Sequence, residues 1–218
     1  MKKFDQWYFP DHEKHLPDWM QKKGDKWNGR LAYQGAKIRR ALELCPPDRR
    51  RTAIDIGGHV GLWSYYLSSA FTNVVAYEPI DEHRACFKEN VTADNVLLCS
   101  YALGDEEGYV GMHTEPSSSG DTYVKGKGTT PVRRLDDVGL LCAVDVDLIK
   151  ADCEGYEYFA LHGAEQIIIR DRPVIVVEQK PGKAQKFGLS EQHAVEYLTA
   201  LGMKLHSEIG GDFFMIWR

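Results

Sequence analysis

Apolar residues along the chain follow two different periods. Short, nearly unbroken apolar runs at Thr52 to Ile56, Asn73 to Tyr77, Val96 to Tyr101, Val146 to Ala151 and Pro173 to Val177 read as strands buried on both faces. Between them, apolar positions recur every three or four residues among charged ones. These stretches read as helices: Val60 to Ala70, Asp81 to about Val91, Tyr156 to Ile169, and one from a Ser190 cap to Leu201. Arg133-Arg134-Leu135-Asp136-Asp137 is expected to open a short helix, and residues 105–131, rich in Gly, Ser and Thr, read as a loop or hairpin excursion. Two closing strands, Met203 to Ser207 and Phe213 to Trp217, flank Gly210-Gly211. The alternation predicts an α/β fold, a doubly wound, Rossmann-like sheet with helices on both faces and an antiparallel edge strand from the closing hairpin.

Ahead of this alternation the pattern is different. Residues 1–27 carry Trp7-Tyr8-Phe9-Pro10, Pro17, Trp19 and Trp27 with no clean period. They read as an extension that packs on the domain or covers a cleft, with Trp7, Tyr8, Trp19 and Trp27 offering rings to an acceptor. A helical pattern then runs from Asn28 to Leu44 and ends at Pro46-Pro47. The expected division is an extension over 1–27 and a catalytic domain over 28–218.

Composition narrows the functional classes. A chain of 218 residues with 43% hydrophobic residues can bury a full core without disulfides or a structural metal. The five cysteines are odd in number and show no C-x-x-C spacing, so neither a disulfide framework nor a zinc ribbon is indicated. Reduced thiols, and the lack of an apolar h-region after Met1-Lys2-Lys3, lead us to expect a cytoplasmic protein. No apolar run approaches a membrane span. The net charge of -5 argues against nucleic acid or an anionic membrane as partner. The runs Lys22-Lys23 and Arg49-Arg50-Arg51 read as solvated faces.

In doubly wound sheets the ligand lies beyond the carboxyl ends of the strands, so the residues just after each strand carry the chemistry. The first strand runs into Asp55-Ile56-Gly57-Gly58-His59-Val60-Gly61, a D-x-G-x-x-x-G pattern. His59 stands where a dinucleotide-binding turn needs its second glycine, which argues against an NAD oxidoreductase. S-adenosyl-L-methionine (SAM) has no phosphate to accommodate. Asp55 suits its ammonium, and Glu78, with Pro79 behind it at the second strand end, suits the ribose hydroxyls. Ala102-Leu103-Gly104-Asp105, after the third strand, is the expected adenine slot, with Asp105 on the exocyclic amine.

These pieces resemble the FkbM-type methyltransferases. The resemblance rests on Asp55–Gly61, Val75-Ala76-Tyr77-Glu78-Pro79, Ala102–Asp105, Arg134-Leu135-Asp136-Asp137, Ile149-Lys150-Ala151-Asp152-Cys153-Glu154-Gly155-Tyr156-Glu157 and Val176-Val177-Glu178. It implies a seven-stranded class I methyltransferase sheet, SAM as cofactor with S-adenosyl-L-homocysteine as product, and O-methylation of a sugar, glycan or small metabolite. Arg134 stands where the family usually has Thr, and the aromatic N-terminal segment lies outside the family core.

A hydroxyl is a poor nucleophile at neutral pH and needs a base, a metal or both. Asp152 and Glu154 follow the fourth strand, where the methyl should lie, and are candidate catalytic groups with His59. Asp152 could equally touch the SAM ammonium, Glu154 cap the next helix, and His59 simply pack. Asp152, Glu178 and Gln179 could offer hard oxygen ligands to a divalent ion, but no metal is expected. His83 and His162 read as structural or exposed, His113 as a loop residue within reach of substrate, Lys150 as a partly buried ion-pair member and Cys153 as inert. The competing functions are N-methylation, nucleic-acid 2'-O-methylation, and a non-catalytic SAM-binding subunit.

Overall fold

The computed structural model describes residues 1–27 and 29–217. Asn28 and Arg218, which bound the expected domain, lie outside the described residues.

The N-terminal segment is more regular than its sequence suggests. β1 (Lys2–Phe4) and β2 (Trp7–Phe9) form an antiparallel hairpin, followed by α1 (His15–Lys23) and a second hairpin of β3 (Asp25–Trp27) and β4 (Arg30–Ala32). The expected helix therefore starts late, as α2 (Gly35–Leu44). Gln34, just before it, is held in a left-handed conformation (φ 56°) while its Oε1 accepts the buried Trp63 indole N–H at 2.8 Å.

The alternation then proceeds as β5 (Thr52–Ile56), α3 (Leu62–Ser68), β6 (Asn73–Tyr77), α4 (Asp81–Asn90) and β7 (Val96–Cys99). The excursion is built of short strands: β8 (Ala102–Leu103), β9 (Gly108–Val110), β10 (Met112–Glu115), β11 (Ser118–Val124) and β12 (Thr130–Arg133). β12 pairs with both β8 and β9, and β10 with β11. The chain returns through β13 (Val146–Ala151), α5 (Glu157–His162), α6 (Glu165–Asp171), β14 (Val174–Glu178), α7 (His193–Ala200), β15 (Lys204–Ile209) and β16 (Asp212–Ile216). The central sheet has the order β15-β16-β14-β13-β5-β6-β7. β16 runs antiparallel to both of its neighbours; the β14-β13-β5-β6-β7 pairs are parallel.

Two local expectations need correction. The helix predicted over Tyr156 to Ile169 is broken in two at Gly163, which lies so close to Gly104 that an added Cβ would sit 2.0 Å from its carbonyl oxygen. Asp136 then answers the free first-turn donors of α6, accepting the N–H groups of Gln166 and Ile167. Ser190 does not cap α7, which starts at His193 without a capping side chain of its own. Gln179 Oε1 accepts the Ala194 N–H at 3.0 Å instead.

Strand residues alternate between two cores, as the pleat requires. Ile54, Val75, Ile149, Val177 and Met215 face a core with Ala160, Leu161, Ile168 and Leu198 of α5, α6 and α7. Ala53, Val74, Leu148, Val176 and Phe214 face the other, with Ile38 of α2 and Leu67 of α3. Trp7, Phe9, Leu16 and Met20 belong to this second core. The Trp7 indole also donates to Leu31 O at 2.7 Å. The first 27 residues thus share the core of the sheet. All five cysteines are free, and among the described residues no helix is long and apolar enough to cross a membrane.

Candidate active site

The strand order reverses between β5 and β13, and a cleft opens at the carboxyl ends of β5, β6, β13 and β14. It encloses about 1140 Å³ of non-protein space, part of it open to solvent. The β5 turn lies directly on the β13 turn: a Cβ on Gly57 (φ 78°) would sit 1.9 Å from Asp152 O, so only glycine permits this approach. Gly57, Gly58 and His59 line the cleft. Gly61 does not; its open Cβ direction points at Val91 and Phe87, so it serves packing against α4.

Glu78 is more enclosed than a strand-end acid beside solvent would be. It is 5% exposed, and its Oε2 accepts the His59 N–H at 2.9 Å while Oε1 accepts the Ile80 N–H at 2.8 Å. His83 Nδ1 lies 3.2 Å from the same Oε1, so His83, expected to be structural or exposed, is buried in the cleft wall. Pro79, Ala102 and Leu103 also line the cleft. Asp105 does not. It lies 3.5 Å from His162 Nδ1, and its carbonyl accepts from Arg134 at 2.7 Å. Arg134, at the position that departs from the family pattern, thus ties the end of the third strand to Asp136 and Asp137.

Beyond β13 and β14 the carboxylates of Asp152, Glu154 and Glu178 each place an oxygen within 4.8 Å of the others. Three like charges this close cannot all persist without counter-charge. The structure supplies one lysine to each: Lys150 to Asp152 at 3.4 Å, Lys180 to Glu178, and Lys183 to Glu154. Lys150 also lies 3.6 Å from Asp55 Oδ1 and donates to Gly57 O at 3.3 Å. Asp55 is fully buried, and its other oxygen accepts from Ser64 Oγ at 2.6 Å. Burial works against the Asp152 anion, but Lys150, Lys180 and Lys37 outweigh it and hold its pKa below the ordinary carboxylate value. Burial and then the Asp152 charge push Glu178 up to about 8 and Glu154 to about 7. Asp152 is thus the acid of the cluster most readily ionised, and the two glutamates hold their protons to higher pH than it does.

Asp152, Glu178 and Gln179, the donors that could have offered a metal site, do not converge as a set. Gln179 is turned away, its Nε2 donating to Glu157 Oε2 at 3.3 Å and its Oε1 engaged with α7. The acids that do converge are Asp152, Glu154 and Glu178, and the ammonium paired with each leaves a poor fit for a divalent ion. Glu154 is not a helix cap either; it sits in a left-handed turn (φ 59°) while Glu157 Oε1 accepts the N–H groups of Cys153 and Gly155. Cys153 lines the cleft with its thiol pKa raised by burial, as expected of an inert cysteine.

The roof of the cleft comes from segments that sequence reasoning left vague. His15 and Leu16 of α1 and Ser118 to Thr122 of β11 close it, with Tyr33 and Trp63 behind. Trp7, Tyr8, Trp19 and Trp27 do not line it. Trp7 is in the core, Trp19 packs edge-on against Tyr33, and Trp27 stacks on Tyr66. His113 is not among the lining residues and lies 3.5 Å from Glu115. The signal that Glu13, His15 and Ser119 belong here is long-range contact, which no local period carries.

A family model described as the methyltransferase FkbM domain matches residues 55–205. The FkbM methyltransferase structure from Methylobacillus flagellatus KT is similar at a TM-score of 0.50 and 17% identity, over 78% of this chain and 44% of that one. This chain therefore spans less than half the length of that relative. Cofactor-bound Rv0187 from MTB is similar at a TM-score of 0.55 and 16% identity, over 87% of this chain and 83% of that one. A methyltransferase from Geobacter sulfurreducens is similar at 0.50 and 12%, over 86% and 80%. No curated protein matches the chain.

Proposed function

The chain belongs to the FkbM methyltransferase family, and from that premise we propose that it is a SAM-dependent enzyme that methylates a hydroxyl of a sugar, glycan or small metabolite. The observation that carries this reading is Asp152, a carboxylate kept ionised by Lys150 at the end of β13, inside the cleft at the switch point. When bound, SAM supplies a methyl group already activated on sulfur and leaves as S-adenosyl-L-homocysteine. The residues of the chain then have three tasks. Asp55 Oδ1, buried with no hydrogen bond and only the Lys150 ammonium 3.6 Å away, takes the ammonium of the amino-acid end. Glu78 meets the ribose hydroxyls with the Oε2 lone pair that His59 leaves free, Oε1 being engaged by Ile80 and His83, and Ala102 and Leu103 flank the adenine. Asp152 accepts the proton of the acceptor hydroxyl as its oxygen attacks. Residues 1–27 contribute to the roof over the acceptor through His15 and Leu16.

Calorimetry with SAM, S-adenosyl-L-homocysteine and NAD tests the cofactor; SAM and its product are expected to bind and NAD is not. Labelled-methyl transfer over a panel of sugars, nucleosides and amines tests the acceptor atom. Binding of NAD without SAM would falsify the cofactor reading, and label carried only on nitrogen would overturn the hydroxyl reading.

A further inference from the structure

Glu13 is fully buried although it lies in the N-terminal segment, far from the sheet in sequence. Its Oε1 accepts the Leu16 N–H at 2.8 Å, and its Oε2 accepts both the N–H and the hydroxyl of Ser119, at 2.5 and 2.6 Å. Ser119 is itself fully buried in β11, and its Oγ lies 2.8 Å from His59 Nε2. Three segments that no local pattern connects are thus joined in one line: the N-terminal segment, the roof hairpin and the β5 loop.

With Glu13 as a carboxylate, the proton count along this line is fixed. Both oxygens of Glu13 face obligate backbone donors, so the Ser119 hydroxyl meets an acceptor there. A serine hydroxyl has one proton to give. With that proton directed to Glu13, Ser119 Oγ can only accept from the ring, and His59 Nε2 must carry a hydrogen. The neutral imidazole then has its lone pair on Nδ1.

The backbone supports a functional purpose. His59 is a non-glycine residue in the left-handed region (φ 48°), a conformation that persists only where the surroundings over-determine it. Two clamps do so: Glu78 on its N–H and Ser119 on its ring. We propose that Glu13, acting through Ser119, is a positioning residue that fixes His59 as the Nε2–H tautomer and leaves Nδ1 as a hydrogen-bond acceptor for a donor group bound in the cleft. The donor is an O–H or N–H of the ligand, either the acceptor hydroxyl or the ammonium of the cofactor. This use of Nδ1 rests on the methyltransferase reading of the cleft; the tautomer itself does not.

The groups around the ring are consistent with a neutral imidazole. His83 of α4 meets it edge-on at 4.5 Å between centroids, the Lys150 ammonium of β13 adds positive charge, and His12 of the N-terminal segment also faces it. Glu78, at the end of β6, is engaged with the backbone of His59 and with His83. Burial first, then His83, holds the His59 pKa well below its ordinary value, so the tautomer is defined across the neutral range.

Nitrogen-15 NMR of the histidine rings in the full chain tests this, with His59 assigned by the signals lost in His59→Gln. The expected result is a protonated Nε2 and a bare Nδ1. Ser119→Ala is expected to release the ring into a mixture of tautomers, with the fold retained and the melting temperature lowered by loss of a buried hydroxyl, and Ser119→Thr to restore the single form. A protonated Nδ1 in the wild type, or a single unchanged tautomer in Ser119→Ala, overturns the proposal whatever the enzyme's activity. Titration with S-adenosyl-L-homocysteine separates the two donors. A shifted Nδ1 resonance assigns the cofactor ammonium, and an unshifted one assigns the acceptor hydroxyl. Failure of the methyltransferase reading would show instead as absence of cofactor binding, with the tautomer intact.

Discussion

Lys150 Nζ lies 3.4 Å from Asp152 Oδ2 and 3.6 Å from Asp55 Oδ1, so one buried ammonium balances two carboxylates of the cleft. Burial alone would lower the Lys150 pKa, but Asp152 and Asp55 outweigh it and raise the value above the ordinary one. The ammonium therefore stays charged wherever the enzyme works, and its field is what favours the Asp152 anion. Lys150→Met is expected to raise the Asp152 pKa. Because a base must be ionised to act, the acid limb of the kcat/KM profile should move to higher pH. Removing one partner of a buried pair also costs about 3–5 kcal/mol of stability, so the profile is best recorded well below the melting temperature. An acid limb that stays in place would show that Asp152 ionisation does not control the rate.

Asp152→Asn keeps the shape of the side chain and removes its charge. Loss of a general base lowers the rate by roughly 10²–10⁴-fold, while SAM affinity should change far less. If affinity falls in step with rate, Asp152 binds the ammonium and the base lies elsewhere. A chelator should leave wild-type turnover unchanged, since lysines already occupy the acid cluster. Loss of activity on chelation, restored by a divalent ion, would reverse that assignment.

Much of this was legible in the sequence, for a physical reason. Asn73–Tyr77 and Val146–Ala151 match their expected bounds because strands buried on both faces leave unbroken apolar runs. Gly57, Glu78 and Asp152 meet because each follows a parallel strand, and register brings parallel strand ends together. What failed was whatever depends on contact between distant segments. Asp105 and Gln179 sit at the right sequence distance from their strands, yet their side chains turn to His162 and to α7. Glu13 and Ser119 are 106 residues apart, and neither stands in a pattern that marks the other. The N-terminal tryptophans look like ligand platforms by composition, but Trp7 proves to be core and Trp19 and Trp27 pack half-buried against that core.

Glu78 illustrates how burial alters an expected phenotype. Its carboxylate holds the His59 and Ile80 N–H groups, so it shapes the loop as well as facing the cleft. Glu78→Gln retains one carbonyl oxygen and loses the other acceptor. SAM should bind about 1.5–3 kcal/mol more weakly, the range for hydrogen bonds to a charged group, and the melting temperature should also fall. Calorimetry and thermal unfolding separate the two effects. A lower melting temperature with unchanged SAM affinity would leave Glu78 a structural residue and remove its ribose role.

Deleting residues 1–20 is expected to abolish folding, and SAM binding with it. A dispensable extension would leave both intact. Trp7, Phe9 and Met20 are fully buried and Leu16 is 4% exposed, all in one core with Ile38, Leu67 and Phe214. Truncating a single buried Trp or Phe to Ala typically costs about 3–5 kcal/mol. A domain has only about 5–15 kcal/mol of net stability to lose, so removing four such side chains together exceeds what the fold can bear. Trp7→Ala alone should destabilise by about 3–5 kcal/mol without touching the cleft, which Trp7 does not line. His15→Ala should do the reverse, because His15 is exposed and lines the cleft. Its melting temperature should match the wild type while KM for the acceptor rises. Circular dichroism melts and SAM calorimetry on the three variants, with methyl-transfer kinetics on His15→Ala, decide the matter. A truncated chain that folds and binds SAM as tightly as the wild type would show that the N-terminal segment covers the sheet without supporting it.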